Sequence, residues 1–180
     1  KSLGNVIDPF DVVELFKGVT DFPEDVLRFV LLHDMPSFED GDLTIGSIKA
    51  SYAAHLQNGI GNLTSRIMKM ATANDIKYQV SSIKYGEKYL KNFMQFDLHK
   101  VMELIWREIS ALDKEIQAKE PFKVVKMDQE KGQALIVGIV ERLYHIAVLL
   151  QPFLPRTAEK IELLIREHKM PEKPLFARLP

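Results

Sequence analysis

The sequence contains no cysteine, which excludes disulfide bridges and every zinc or iron-sulfur site built on thiolates, and suits a reducing compartment, the cytoplasm by default. It also lacks a surplus of charge: 24 Lys and Arg stand against 25 Asp and Glu, a formal net charge of -1. Nothing therefore advertises a broad basic face, and any contact with a polyanion has to be local. No apolar run approaches the ~20 residues that span a bilayer, and the opening Lys1-Ser2-Leu3-Gly4-Asn5 lacks the apolar stretch of a signal peptide, so no membrane association is expected. The five histidines, His33, His55, His99, His145 and His168, never fall in a His-x-x-x-His spacing, and no metal site is expected. There is no initial Met either, and a start on a loop-like stretch reads as a cut through a longer chain.

What is present is ample apolar material, 46% of 180 residues, enough for one main core. Residues 1 to 45 are punctuated by Gly4, Pro9, Gly18, Pro23, Pro36 and Gly41, which predicts a small irregular region. Asp8-Pro9 is an N-cap followed by Pro at the first helical position, opening a helix that Gly18 ends after Phe16. A second helix opens at Pro23, with Val26, Phe29, Val30 and Leu32 or His33 on its apolar face. Asn5-Val6-Ile7 and Asp42-Leu43-Thr44 are a candidate two-strand ribbon.

From about residue 46 the pattern changes. Ile48, Tyr52, Leu56, Ile60, Leu63, Ile67 and Met70 recur every three or four residues, predicting one long amphipathic helix from Thr44 to about Ala73. After a polar connector over Asn74 to Ser82, a second pattern runs from Tyr85 to Ala118 through Leu90, Phe93, Phe96, Leu98, Val101, Leu104 and Ile105, until Pro121 stops it. A third runs from Asp128 to Gln151, and a short fourth from Thr157 to about His168. Together they predict an all-α fold, an antiparallel helix bundle over 46–180 preceded by a small, mostly helical region over 1–45.

No catalytic constellation is visible. Paired acids such as Glu24-Asp25 and Glu39-Asp40 sit at turns and helix starts, where carboxylates favour the helix dipole. Gly59 and Gly61, inside the first long pattern, each cost ~1 kcal/mol relative to Ala; they allow either close approach of a neighbouring helix or space for a bulky ligand. Asn58, Asn62 and Arg66 lie four apart and form a slowly rotating polar stripe. Asn offers donors and an acceptor suited to a base edge, and Arg pairs with phosphate or base. On residues alone the stripe reads first as a solvated helix face. Phe122, just past Pro121, is either a core plug or an exposed ring able to stack on a splayed base. The single Trp, Trp106, falls on the apolar pattern and reads as partly buried packing.

Lys1-Ser2-Leu3-Gly4-Asn5-Val6-Ile7-Asp8-Pro9, with Asp25-Val26-Leu27-Arg28-Phe29, resembles the end of the Lys-Met-Ser-Lys-Ser signature loop of class I aminoacyl-tRNA synthetases and the segment after it. Methionine, leucine, isoleucine and valine enzymes share that stretch. Asp40-Gly41-Asp42-Leu43, Asn58-Gly59-Ile60-Gly61-Asn62-Leu63-Thr64-Ser65-Arg66, Glu120-Pro121-Phe122, Leu150-Gln151-Pro152-Phe153-Leu154-Pro155 and Pro174-Leu175-Phe176 resemble the methionine branch in order and spacing.

The resemblance implies an anticodon-binding bundle preceded by the end of the signature loop and a stem-contact region. Asn62 and Arg66, with Asn58 nearby, would recognise a CAU anticodon of the methionine tRNA. Phe122, where the family usually has Trp, would stack on its first base. Lys1 and Ser2 would be the remnant of the loop that stabilises charge on the ATP phosphates. ATP, Mg and methionine would be handled by a catalytic domain absent from this sequence, so the chain alone is expected neither to aminoacylate nor to hold a cofactor. The alternatives are the anticodon domain of a valine, leucine or isoleucine enzyme, and a non-catalytic helical interaction module.

Overall fold

In the computed structural model, which describes residues 7–39, 41–81 and 83–180, the Asp8 carboxylate accepts the Phe10 N–H at 2.8 Å, and Pro9 opens helix α1 (Pro9–Phe16) as expected. Gly18, at φ 79°, takes the left-handed turn that ends it. Helix α2 (Pro23–Phe29) runs into a π-helical turn, Val30–Asp34. The proposed ribbon falls partly on Asn5 and Val6, outside the described residues; Ile7 and Asp42 to Thr44 are irregular.

The first long pattern occupies its expected length but is not uniform. Helix α3 (Ile45–Ser51), capped by Thr44, passes into a π-helical segment, Tyr52–Gly61, and continues as α4 (Asn62–Ala73). The axis kinks at Gly59, whose ψ of -110° no ordinary helical turn contains. Ile48, Tyr52, Leu56, Ile60, Leu63 and Ile67 are all buried as the spacing requires. The second pattern, expected as one helix from Tyr85, is two: α5 (Glu87–Met94) and α6 (Leu98–Lys119). The break is made by Phe96 at φ 56° and by Asp97, whose carboxylate caps Lys100 N–H. Leu90 and Phe96, which share the predicted apolar stripe, are consequently exposed.

Glu120, in the left-handed region (φ 42°), ends α6, and Pro121 then begins a short helix, α7 (Pro121–Met127), rather than a loop. Asp128 caps α8 (Gln129–Leu150), and Pro155 starts α9 (Pro155–Arg166). By length and composition α8 could cross a membrane, yet half of its apolar stretch is buried inside the bundle.

Helices α6, α8 and α9 alternate in direction: Arg142 of α8 reaches back to Glu108 and Glu115 of α6, and Gln151 meets Glu162 of α9. The connection over 74–86 packs along the bundle, with Tyr78 Oη donating to Ile165 O at 3.1 Å. It lets α3 and α4 lie beside α6 in the same sense, His55 meeting Trp106 and Arg66 meeting Asp113.

Packing crosses the boundary drawn at residue 45. The Phe16 ring lies tilted against Tyr52 with centroids 4.6 Å apart, and Phe29 likewise against Trp106 at 4.8 Å. Asp25 is only 1% exposed and accepts both the backbone N–H and the hydroxyl of Thr157 at 2.7 Å. Arg28 donates to the Phe153 and Pro152 carbonyls, and the Tyr52 hydroxyl to Ala177 O. The N-terminal helices, the bundle and the C-terminal tail are thereby held on one hydrophobic core.

Candidate nucleic-acid interface

Asn58 lies in the π segment, Asn62 opens α4 and Arg66 follows one turn on. Both asparagines are exposed and Arg66 is half-buried. Asn58 Oδ1 accepts only from the adjacent Gln57 side chain, at 3.1 Å, among the described hydrogen bonds. Arg66 is tied down: its Nη1 donates to Asp113 Oδ1 on α6, and Gln117 Nε2 donates to the other carboxylate oxygen. A guanidinium held at one nitrogen keeps its remaining donors in a fixed plane, which suits a planar acceptor. Asp113 also cancels much of the Arg66 charge, so this cation is a weaker lure for phosphate than the sequence suggests.

Phe122 stands near the head of α7 and is 42% exposed, so it is not a core plug; the buried Pro121 anchors it instead. Lys123 Nζ sits 5.9 Å from the ring centroid. The rise along α6 from Asp113 to Lys119 is ~9 Å, so the Arg66 anchor and Phe122 belong to the same end of that helix. Lys1 and Ser2 lie outside the described residues, as does Asp40 of the Asp40-Gly41-Asp42-Leu43 stretch.

The two glycines divide the readings offered for them. A Cβ on Gly61 would come 2.8 Å from Leu56 O and 3.2 Å from the Phe176 ring, so Gly61 serves close approach. Gly59 marks the kink and lines a cavity of about 450 Å³ between the π segment and α6.

That cavity holds what sequence reasoning missed. His33, His55 and Trp106, far apart in the chain, meet beside Phe29: the His33 and His55 rings are 4.6 Å apart, and His33 lies 5.1 Å from Trp106. Asp34 accepts from His33 Nδ1 at 2.7 Å. Burial pushes the His55 pKa below its usual 6.5, the neighbouring His33 adds to this, and Asp34 opposes it. The Trp106 indole N–H is buried without a partner among the described residues. Asn58 lines the same cavity, so the stripe and the ring cluster share one opening. The helical phase of Asp113 and Gln117, four apart on α6, was the available signal for the polar side; the ring cluster depends on contacts that no local spacing encodes.

The family model described as tRNA synthetases class I (M) matches residues 1–68. A curated relative, the methionine-tRNA ligase of Fusobacterium nucleatum, is 31% identical over 89% of this chain and 27% of its own length. Over residues 1–68 the chain is similar to this family of class I tRNA synthetases. The methionine-tRNA ligase of Rhizobium meliloti is 29% identical, over 89% of this chain and 33% of its own length. The chain thus spans about a third of the length of the curated relatives it matches. A Mycobacterium tuberculosis methionyl-tRNA synthetase solved with methionyl-adenylate overlays 99% of this chain and 39% of its own with a TM-score of 0.76 at 22% identity, a likeness of fold.

Proposed function

We propose that this chain is the tRNA-reading portion of a methionine-tRNA ligase, recognising the CAU anticodon, while ATP, Mg and methionine are handled elsewhere in the ligase. The observation that carries the reading is the pair of exposed amides, Asn58 and Asn62, leading to an Arg66 fixed in orientation by Asp113. An unpaired anticodon offers base edges that protein side chains reach, unlike the deep major groove of A-form RNA. Asn62 supplies a donor and an acceptor for one such edge, and Arg66 the remaining donors of its plane. The exposed Phe122 supplies a stacking surface at the same end of α6, worth ~1–3 kcal/mol for one base. Stacking and edge contacts dominate, in keeping with a net charge of -1.

The test is a pair of substitutions read against two anticodons. Asn62→Ala is expected to bind CAU and altered stem-loops equally, because it removes the edge contact and leaves the fold untouched at an exposed position. Phe122→Ala is expected to weaken both by about tenfold or more, the value of a lost stack. Retention of full CAU preference by Asn62→Ala would overturn the assignment of that residue, and an unaffected Phe122→Ala the stacking role.

A further inference from the structure

Phe96 is held against two of its own preferences. Its φ of 56° is a left-handed conformation that suits Gly, Asn or Asp and costs a bulky side chain, and the residue is 77% exposed, so no burial within the chain offsets that cost. It lines an apolar groove of about 400 Å³. Leu31 and Leu32 of the π turn, Phe93 of α5 and Leu98 at the head of α6 line it too, and its most buried member, Phe153, is 2% exposed and meets Phe93 edge-on at 6.1 Å. Leu31 and Phe93, at 47% and 37%, are exposed as well. Leu98 lies ~22 Å along α6 from Asp113, so the groove is separate from the Asn58 stripe.

One cation lines this apolar surface. Arg28 Nε donates to Phe153 O at 2.6 Å and Nη2 to Pro152 O at 2.9 Å, but Arg28 makes no ion pair among the described residues. Asp25, three residues before it, is buried on Thr157 instead. A guanidinium fixed on two carbonyls keeps its Nη1 donors in a set plane and its charge unmatched, which fits a carboxylate. Along α5, Lys88 and Lys91 outnumber Glu87, all three exposed, so the surroundings favour an acidic partner and disfavour a second copy of this same surface. The leucines and phenylalanines offer nothing to a base edge, which would be desolvated there without partners. A recess between helices accepts the ridge of another helix.

We propose that this groove docks an amphipathic helix of another protein, its apolar face lying on Phe93, Phe96 and Leu31 and one Asp or Glu pairing with Arg28. The exposed Phe96 is retained for that contact, which buries it.

The test is selection of the chain against a displayed library of helical peptides of about 14 residues, roughly four turns. Enriched peptides should carry apolar residues at i, i+3 or i+4, and i+7, with an acid beside them. Phe96→Asn, which suits the left-handed backbone and adds no charge, should weaken them tenfold or more, as should Leu31→Gln, a second exposed position. Exchanging the peptide acid for its amide should cost about tenfold, and reads the Arg28 contact without disturbing the carbonyls that Arg28 holds. No enrichment, or enriched peptides indifferent to both variants, overturns the groove. Peptides that bind equally well as amides overturn the role of Arg28. Self-association of the chain that Phe96→Asn abolishes would give the surface to a second copy, and loss of stem-loop binding in the same folded variant would give it to RNA; either overturns the proposal. The anticodon reading predicts stem-loop binding untouched by Phe96→Asn, so the two stand or fall separately.

Discussion

Two glycines on helix α8 should respond to the same substitution with opposite signs. An alanine Cβ at Gly132 would lie 2.2 Å from Val125 Cα, 2.4 Å from Val125 N and 2.5 Å from Val125 Cβ, whereas at Gly138 it meets nothing within 4 Å. Alanine is favoured over glycine in a helix interior by ~1 kcal/mol, so Gly138→Ala should stabilise by about that amount. At Gly132 the same gain is outweighed, because the atoms in the way are backbone of α7 and cannot rotate aside. Overpacking costs ~1–3 kcal/mol, and a backbone clash belongs at the upper end, leaving a net loss of about 2 kcal/mol. For a chain of this size 1 kcal/mol moves Tm by ~2–4 °C, so thermal unfolding followed by circular dichroism should show a fall of ~4–8 °C for Gly132→Ala and a rise of ~2–4 °C for Gly138→Ala. Since α7 carries Phe122, Gly132→Ala should also weaken RNA binding while Gly138→Ala leaves it alone. Equal shifts in Tm, or a stabilised Gly132→Ala, would refute the packing of α7 on α8.

Asp25→Ala strands the N–H and hydroxyl of Thr157 in the core and should cost about 3 kcal/mol, read as a lowered urea midpoint; Asp25→Asn, which keeps an acceptor, should cost much less. Burial raises the pKa of Tyr52, Tyr78 and Tyr89 above the ordinary 10.0, that of Tyr89 to about 12. A raised folded-state value means that the stability these phenols contribute is complete below pH ~10 and is lost as pH climbs through ~12; urea midpoints flat across that window would contradict it. Arg66→Ala should lower tRNA affinity and reduce the salt slope by no more than about one counterion, because Asp113 already neutralises part of the charge. Asp113→Ala frees that charge, so it should steepen the salt slope and blur discrimination between anticodons; an unchanged slope would show that the pair does not govern Arg66.

Local chemistry made much of the fold legible. Asp8-Pro9 and Gly18 mark the ends of α1 because a cap, a fixed φ and a left-handed turn are properties of single residues. The burial of Ile48 through Ile67 follows from spacing alone, even across the π segment, whose extra turn width shifts the phase too little to expose them. The break between α5 and α6 is hidden in the sequence because Phe93, Phe96 and Leu98 continue the apolar rhythm, while the decisive features, a left-handed Phe96 and the Asp97 cap, are conformational choices that periodicity does not register. In sequence Pro121 signals a stop, yet proline is equally a start, and Glu120 performs the termination. At the site, Asn58, Asn62, Arg66 and Phe122 were visible as types and positions. The Arg66 tether to Asp113 and the meeting of His33, His55 and Trp106 join residues remote in the chain, and only packing brings them together.

The most direct test of the anticodon reading is binding of the chain to a stem-loop bearing CAU beside one with those bases changed, at two salt concentrations. The account predicts a preference for CAU that persists at the higher salt, because edge contacts and stacking rather than phosphate attraction carry it. Equal affinity for both stem-loops, falling together as salt is raised, would contradict it.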